Sequence, residues 1–512
     1  MALAKVNSCG FLGVDGYILN VEADLVAGIP GMDIVGLPDT AVKESKERIK
    51  SAVKNSGYSL PQKKIVINLA PANLKKEGVY LDFPISIAIL AASGQIPESS
   101  VQDSLLMGEL ALDGSLRYAH GALPAAVAAR DMGIKRLFVP AENAVEASVV
   151  SGVEVYGVAT LADAVAHFRG ESLIERSVTD TETLFENSHS YDVDFCDVRG
   201  QEGAKRALEI AAAGGHNCLM IGSPGSGKTM LAKRLPTILP DLSFDEALEV
   251  TKIYSVAGKL PHGIALITTR PFRSPHHTVS SVALTGGGSN PHPGEITLAH
   301  RGVLFLDEFP EFKKDAIEAM RQPIEDGQLT VSRVSGSAVF PSTVMLIASM
   351  NPCNCGYYGD PTRECTCSAG QIQRYLNKVS GPMLDRFDVH IEVSAVKYDE
   401  LSGKRNGETS QEIRKRVERA RKIQLERYKE HNIYCNAQLS ASLTDKFCPL
   451  NDECKNILKS AFESLGLSAR AHSRILKVAR TIADLAGSES IEVMHLAEAI
   501  QYRSLDKKFW FN

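Results

Sequence analysis

At 512 residues the chain is too long for a single hydrophobic core and implies about two to four domains. Its 44% hydrophobic and 23% charged content is that of a globular protein and excludes a disordered or fibrous chain. A net charge of −5 excludes a globally basic nucleic-acid binder, and no apolar run reaches the roughly 18 residues of a membrane span.

Residues 1–170 alternate strand-like and helical patterns. Their first residues lack the apolar core of a secretion signal. Val21, Ala23 and Leu25 alternate with polar neighbours, and residues 63–69 form a second strand candidate. Between them, residues 39–56 predict a helix with Val42, Ile49, Ala52 and Val53 on one face and Gly57 as its stop. Residues 83–92 read as a buried helix opened by Pro84, residues 123–132 as another, and 136–140 and 153–156 as further strands. The class is α/β. Residues 171–196 are acidic and polar with little periodicity, the composition of a linker. A third segment spans 197–393. Beyond it, 394–512 looks helical throughout, with a capping box at Thr409 and Glu412 and helices over 451–464, 468–486 and 490–504.

The third segment carries the chemistry. Gly222-Ser223-Pro224-Gly225-Ser226-Gly227-Lys228-Thr229 is a complete Walker A loop. It follows the apolar run Cys218-Leu219-Met220-Ile221 and opens into Met230-Leu231-Ala232, a strand-to-helix turn whose backbone N–H groups receive phosphate. Its glycines let the backbone wrap closely, Lys228 reaches the β/γ-phosphates of ATP, and the Thr229 hydroxyl ligates Mg²⁺. The apolar run 303–306 ends in Asp307-Glu308, a Walker B pattern: Asp307 for the metal, Glu308 to polarise the attacking water. A second apolar strand ends in Asn351, placed to orient that water or touch the γ-phosphate. Arg386 lies close to Asp385 and Asp388, which leaves an ion pair and a phosphate contact both open. Arg470 stands two residues after the natural N-cap Ser468, where the helix dipole disfavours a cation, so an anion is expected to face it. Arg474 and Lys477 share its face. Ten cysteines do not form a secreted disulfide framework in a chain this size. Four of them, Cys353, Cys355, Cys365 and Cys367, bracket a short loop and suit a structural, tetrahedral Zn²⁺ site in a reducing cytoplasm.

In this order the motifs resemble the magnesium-chelatase-like AAA+ family. Asn351-Pro-Cys-Asn-Cys355, Cys365-Thr-Cys-Ser368 and residues 468–485 are similar to its bacterial ComM-type members, over essentially the whole chain. The resemblance implies a P-loop AAA+ core, a C-terminal helical lid and homo-hexameric rings. It implies Asn351 as sensor 1, Arg386 as an arginine finger acting on a neighbouring subunit's ATP, and Arg470 as sensor 2. Residues 272–302 look like a helix-2 insertion. Residues 327–340 are similar to a hairpin that faces the ring channel in DNA-translocating relatives, which makes Arg333 a candidate phosphate contact. Residues 1–170 resemble the Lon-protease (ribosomal S5 domain 2-like) fold at 108–114 and 129–140. They depart from it at the catalytic positions: Phe83-Pro84-Ile85 stands where the serine follows a Gly-Pro pair, Ser86 comes one residue late, and Leu123 replaces the lysine. A non-proteolytic DNA-binding or ring-stabilising platform is expected there.

The function so implied is an ATP-dependent hexameric DNA motor that drives branch migration of branched or single-stranded DNA, in homologous recombination and integration of transforming DNA. The basic run Arg414-Lys415-Arg416, Arg419, Arg421-Lys422 favours it weakly. The alternative is a magnesium-chelatase-type ATPase subunit, followed by a Lon-like ATP-dependent protease. ATP, Mg²⁺ and a structural Zn²⁺ are the implied cofactors, with a cytoplasmic location and no membrane partner.

Overall fold

The computed structural model describes residues 3–76, 78–186, 191–288, 291–333, 336–361, 363–395, 407–431, 433–465 and 467–510. Its N-terminal unit is built on β1 (Leu3–Leu12), β2 (Asp15–Val26), β3 (Gly31–Val35), β4 (Lys64–Ala70), β5 (Ser104–Leu106), β6 (Arg136–Pro140), β7 (Glu154–Val158) and β8 (Arg176–Ser177). These form one sheet in the order β8-β7-β6-β5-β1-β2-β4-β3. In β4 the alternation buries Ile65, Ile67 and Leu69 against two helices, α1 (Thr40–Asn55) and α2 (Asp82–Ala92). Helix α1 starts where the Asp39 carboxylate accepts the Val42 N–H at 2.8 Å, and it buries Val42, Ile49, Ala52 and Val53 as their spacing predicts. Helix α2 is buried on nearly every side. Within the stretch read as a linker, 171–196, β8 pairs antiparallel with β7 and residues Thr181–Glu186 are helical.

The second unit is a parallel sheet of β9 (Cys218–Ile221), β10 (Phe272–Arg273), β11 (Val303–Leu306), β12 (Met345–Met350) and β13 (Val389–Glu392). Its order is β10-β11-β12-β9-β13. Both faces are covered, which is why the strands read as unbroken apolar runs. Cys218, Met220, Phe305 and Ile347 enter one core; Leu219, Ile221, Leu306 and Ala348 enter the other.

Leu505 and Phe509 of the last helix enter the second of those cores, while most of the C-terminal helices belong to the first. Here α3 (Glu202–Gly214) packs against α4 (Ser410–Tyr428) and α5 (Ala469–Ala486). The capping box of α4 forms as read, with Thr409 and Glu412 exchanging hydrogen bonds. Of its basic run, Lys415, Arg419 and Lys422 are exposed, while the other three cations are engaged within the protein. Arg414 pairs with Asp241 and Glu418, Arg416 with Glu408 and Glu209, and Arg421 donates to Ala212 O at 2.8 Å. Those three cations fasten the helix to the core.

The N-terminal unit rests on the second unit through the helix Phe244–Val256 and a hairpin of Gln328–Arg333 and Gly336–Pro341. Val14, in the β1–β2 turn, packs with Ile253, Leu298, Ala338 and Phe340. Beside it the Ser255 hydroxyl donates to buried Glu146 and accepts from Gly121 N–H at 3.1 Å, while Lys252 pairs with Asp15 at 2.6 Å. Among the described residues no helix is long and apolar enough to cross a membrane.

Candidate nucleotide site and metal centre

Five of the residues singled out in the sequence converge where β9, β11 and β12 end, in the crevice beyond the carboxyl ends of a parallel sheet. The Walker A loop leaves β9 and enters the helix Lys228–Arg234 through Gly227, whose φ of 92° suits glycine. Ser223, Ser226 and Lys228 are buried, while Pro224 and Gly225 are exposed. The Lys228 ammonium donates to the carbonyl oxygens of Gly222 (2.8 Å) and Ser223 (2.9 Å) and lies 3.3 Å from Asn351 Oδ1. Burial pushes it down to about 8, with the Asp307 carboxylate opposing the fall.

Asp307 is held by three donors: Thr229 Oγ1 at 2.7 Å, the Glu308 N–H at 3.0 Å and the Ser349 hydroxyl. Thr229 and Asp307 thus set a hydroxyl beside a carboxylate, a hard-oxygen donor set of the kind that suits Mg²⁺. Glu308 adopts a left-handed backbone, φ 53°, the sort of local strain that recurs at active sites. Its carboxylate is half-exposed and meets His277 Nδ1 at 3.1 Å. His277 and Ser349 were missed in the sequence. The first lay in the His-rich stretch taken as an insertion; the second reads as one more small residue in an apolar strand.

Arg386 and Arg470 lie elsewhere. Arg386 pairs with Glu325 instead of either nearby aspartate. Asp385 pairs with Arg470 at 3.2 Å, and buried Asp388 pairs with His216 (3.3 Å) and Arg474 (3.6 Å). Burial is the largest single influence on Asp388 and opposes its ionisation, but the His216 hydrogen bond together with the charges of Arg474 and Lys477 outweighs it and holds the carboxyl at about 2. Arg474 and Lys477 are largely buried and donate to Phe387 O and Ala437 O, whereas Arg470 is 62% exposed and free to reach outward. Arg386, Arg470, Arg474, Lys477, Arg270 and Arg301 line one cleft of about 930 Å³. Asn217, Gly302 and Asp388, which precede β9, β11 and β13, line the same cleft, so it opens at the amino ends of the strands. The four-residue β9 alone separates it from the Walker A loop by about 13 Å. The chain therefore presents a phosphate cradle at one end of the sheet and a guanidinium cluster at the other. Arg333 ends the first hairpin strand, but its side chain lies outside the described residues.

The four cysteines come together. Their sulfurs lie within 4.8 Å of one another, with Cys353–Cys355 at 3.3 Å, Cys355–Cys365 at 3.5 Å and Cys353–Cys365 at 3.7 Å. A tetrahedron with Zn–S bonds of about 2.3 Å has S–S edges of about 3.8 Å, so the cluster fits that ion with little adjustment.

Three family models match the chain. "Magnesium chelatase, subunit ChlI" covers residues 194–401, "Subunit ChlI of Mg-chelatase" 21–143, and "Magnesium chelatase, subunit ChlI C-terminal" 407–503. The chain is 45% identical to the competence protein ComM of Haemophilus influenzae, over 99% of this chain and 98% of that protein. Its identity to the YifB protein of Salmonella typhimurium is 44%, over 99% and 98%. The magnesium-chelatase subunit ChlI of Pyropia yezoensis is 26% identical over 40% of this chain and 59% of that protein. Similarity of that extent, with the nucleotide-site motifs in place, makes the chain a ComM-type member of the magnesium-chelatase-like family.

Proposed function

We propose that the protein is a ring-forming ATPase that moves branched or single-stranded DNA, a branch-migration motor serving homologous recombination and the uptake of transforming DNA in the cytoplasm. The observation that carries the reading is the separation of Lys228, Thr229, Asp307, Glu308 and Asn351 from Arg386 and Arg470. A complete site then takes the cradle of one subunit and the guanidinium cluster of the next, in a heterologous contact that closes into a ring, a homo-hexamer in this reading. Within it, Lys228 and the loop N–H groups hold the β- and γ-phosphates, and Thr229 and Asp307 hold Mg²⁺, which neutralises phosphate charge when bound. Glu308, released from His277, takes the proton of the attacking water; Asn351 orients that water; Arg386 from the neighbour meets the charge that develops.

The DNA part of the reading rests on full-length similarity to a protein named for competence, and on the hairpin whose second strand packs beneath Val14. Chelatase-named proteins match much less of the chain, 40% and 31%. A protease reading finds no nucleophile at the expected place. Ser86 is fully buried and donates to Asp82 O at 2.8 Å inside its own helix, and Leu123 is buried where a lysine would be needed. We read residues 1–170 as a non-proteolytic Lon-like platform that stabilises the ring.

The test is ATP-dependent unwinding of a labelled four-way junction, run beside casein digestion and metal insertion into a porphyrin. Junction unwinding with ATPase stimulated by DNA is the expected result. DNA-independent ATPase without unwinding removes the motor reading, and metal insertion would favour the chelatase one. Nucleotide binding should also carry a pH signature. Phosphate favours the charged form of Lys228, so binding takes up a proton once the free ammonium, near 8, has begun to lose it. Affinity for a fluorescent ATP analogue is expected to be level below pH 8 and to fall by up to about tenfold per unit above it. A profile level to about pH 9.5 would detach Lys228 from the phosphates.

A further inference from the structure

Gly356, the first residue of the loop between the two cysteine pairs, lies against the Walker A loop. A Cβ placed on it would stand 2.5 Å from Cδ and 2.7 Å from Cγ of Pro224. Its φ of +84° is also one that side-chain-bearing residues rarely adopt, so the close approach and the turn both require glycine. Cys355 precedes it directly, and the Gly356 N–H donates to the carbonyl of wholly buried Cys353 at 3.0 Å. Two residues before Cys353 stands Asn351, whose amide oxygen faces the Lys228 ammonium. At the far end Cys367 runs into Ser368, the N-cap of the helix Ala369–Leu376, whose Tyr375 and Leu376 are buried in the same core as β12. The four sulfurs therefore sit between a packed helix on one side and two points of the nucleotide site, Pro224 and Asn351, on the other. Thiols alone are weak hydrogen-bonding groups and give such a loop little rigidity. Four bonds to one metal ion would fix both of its ends at once.

Resting on the zinc reading of the cysteines, we propose that this loop is a metal-dependent brace for the nucleotide site. Zn²⁺ bound by Cys353, Cys355, Cys365 and Cys367 holds Gly356 against Pro224 and Asn351 beside Lys228. Nucleotide affinity then depends on zinc, although a closed four-thiolate shell leaves no position for phosphate.

Two measurements on the full-length protein test this: zinc content by plasma mass spectrometry, and the dissociation constant of a fluorescent ATP analogue. Gly356→Ala retains all four thiols. It is expected to hold stoichiometric zinc yet bind the analogue about tenfold more weakly, within the ~10²-fold that a ~1 Å misplacement can cost. Stripping zinc from the wild-type protein with a chelator is expected to weaken binding similarly, and Zn²⁺ alone to restore it. Protein that carries no zinc as purified overturns the metal reading itself. Zinc-loaded Gly356→Ala and stripped wild-type protein that both bind within about twofold of the native value overturn the brace while leaving the metal in place. Should stripping unfold the chain by circular dichroism, Gly356→Ala alone decides.

Discussion

Arg386→Ala is expected to cut ATP turnover by about 10³–10⁵-fold while leaving nucleotide binding close to normal. The guanidinium lies at the opposite end of the sheet from the Walker A loop, so it is no part of its own chain's cradle, and its loss removes stabilisation only where a neighbour's phosphate charge develops. A steady-state assay at saturating ATP measures the effect. The cleaner check is complementation. Glu308→Gln removes the base from the cradle end, and Arg386→Ala removes the cation from the other end. In an equal mixture about a quarter of contacts pair an intact Glu308 with an intact Arg386, so activity should return to a comparable fraction of the wild-type level. Failure to recover at any ratio would mean that one chain supplies both residues to its own site.

Glu308→Gln by itself is expected to lower turnover by about 10²–10⁴-fold, the usual span for loss of a general base, with ATP affinity retained. Glutamine keeps the shape and the left-handed backbone position but takes no proton, so a trapped, ATP-bound ring should accumulate. Equilibrium binding of labelled ATP measured alongside single-turnover hydrolysis separates the two effects. A variant that hydrolyses at even a tenth of the wild-type rate would point to a different base.

The sequence was most legible where local rules are strict. The Walker A loop is a run of backbone conformations that only certain residues tolerate, and Asp307 follows an apolar strand because a buried parallel strand must be apolar. The helix 40–55 could be placed from Asp39 and four apolar residues because capping and burial agree there. Legibility failed where partners are distant in the chain. Nothing near Arg386 in sequence announces Glu325, and nothing near Glu308 announces His277, since both pairs are made by the fold. The basic helix showed the opposite failure. Arg414 and Arg416 looked available because their partners Asp241 and Glu209 lie some two hundred positions earlier. The four cysteines were recognisable as one cluster from spacing alone, but the contact of Gly356 with Pro224 joins segments more than a hundred residues apart.

Val14 of the N-terminal unit is wedged against Ile253, Leu298, Ala338 and Phe340 of the second, and Glu146 depends on the Ser255 hydroxyl for one of its partners. Shearing the units apart would wet Ile253, Leu298 and Phe340 and leave a carboxyl, already pushed up by burial, to find water for itself. The two units are therefore expected to separate only at the expense of that shared apolar cluster, and a shift of the hairpin's base would carry the β1–β2 turn along with it.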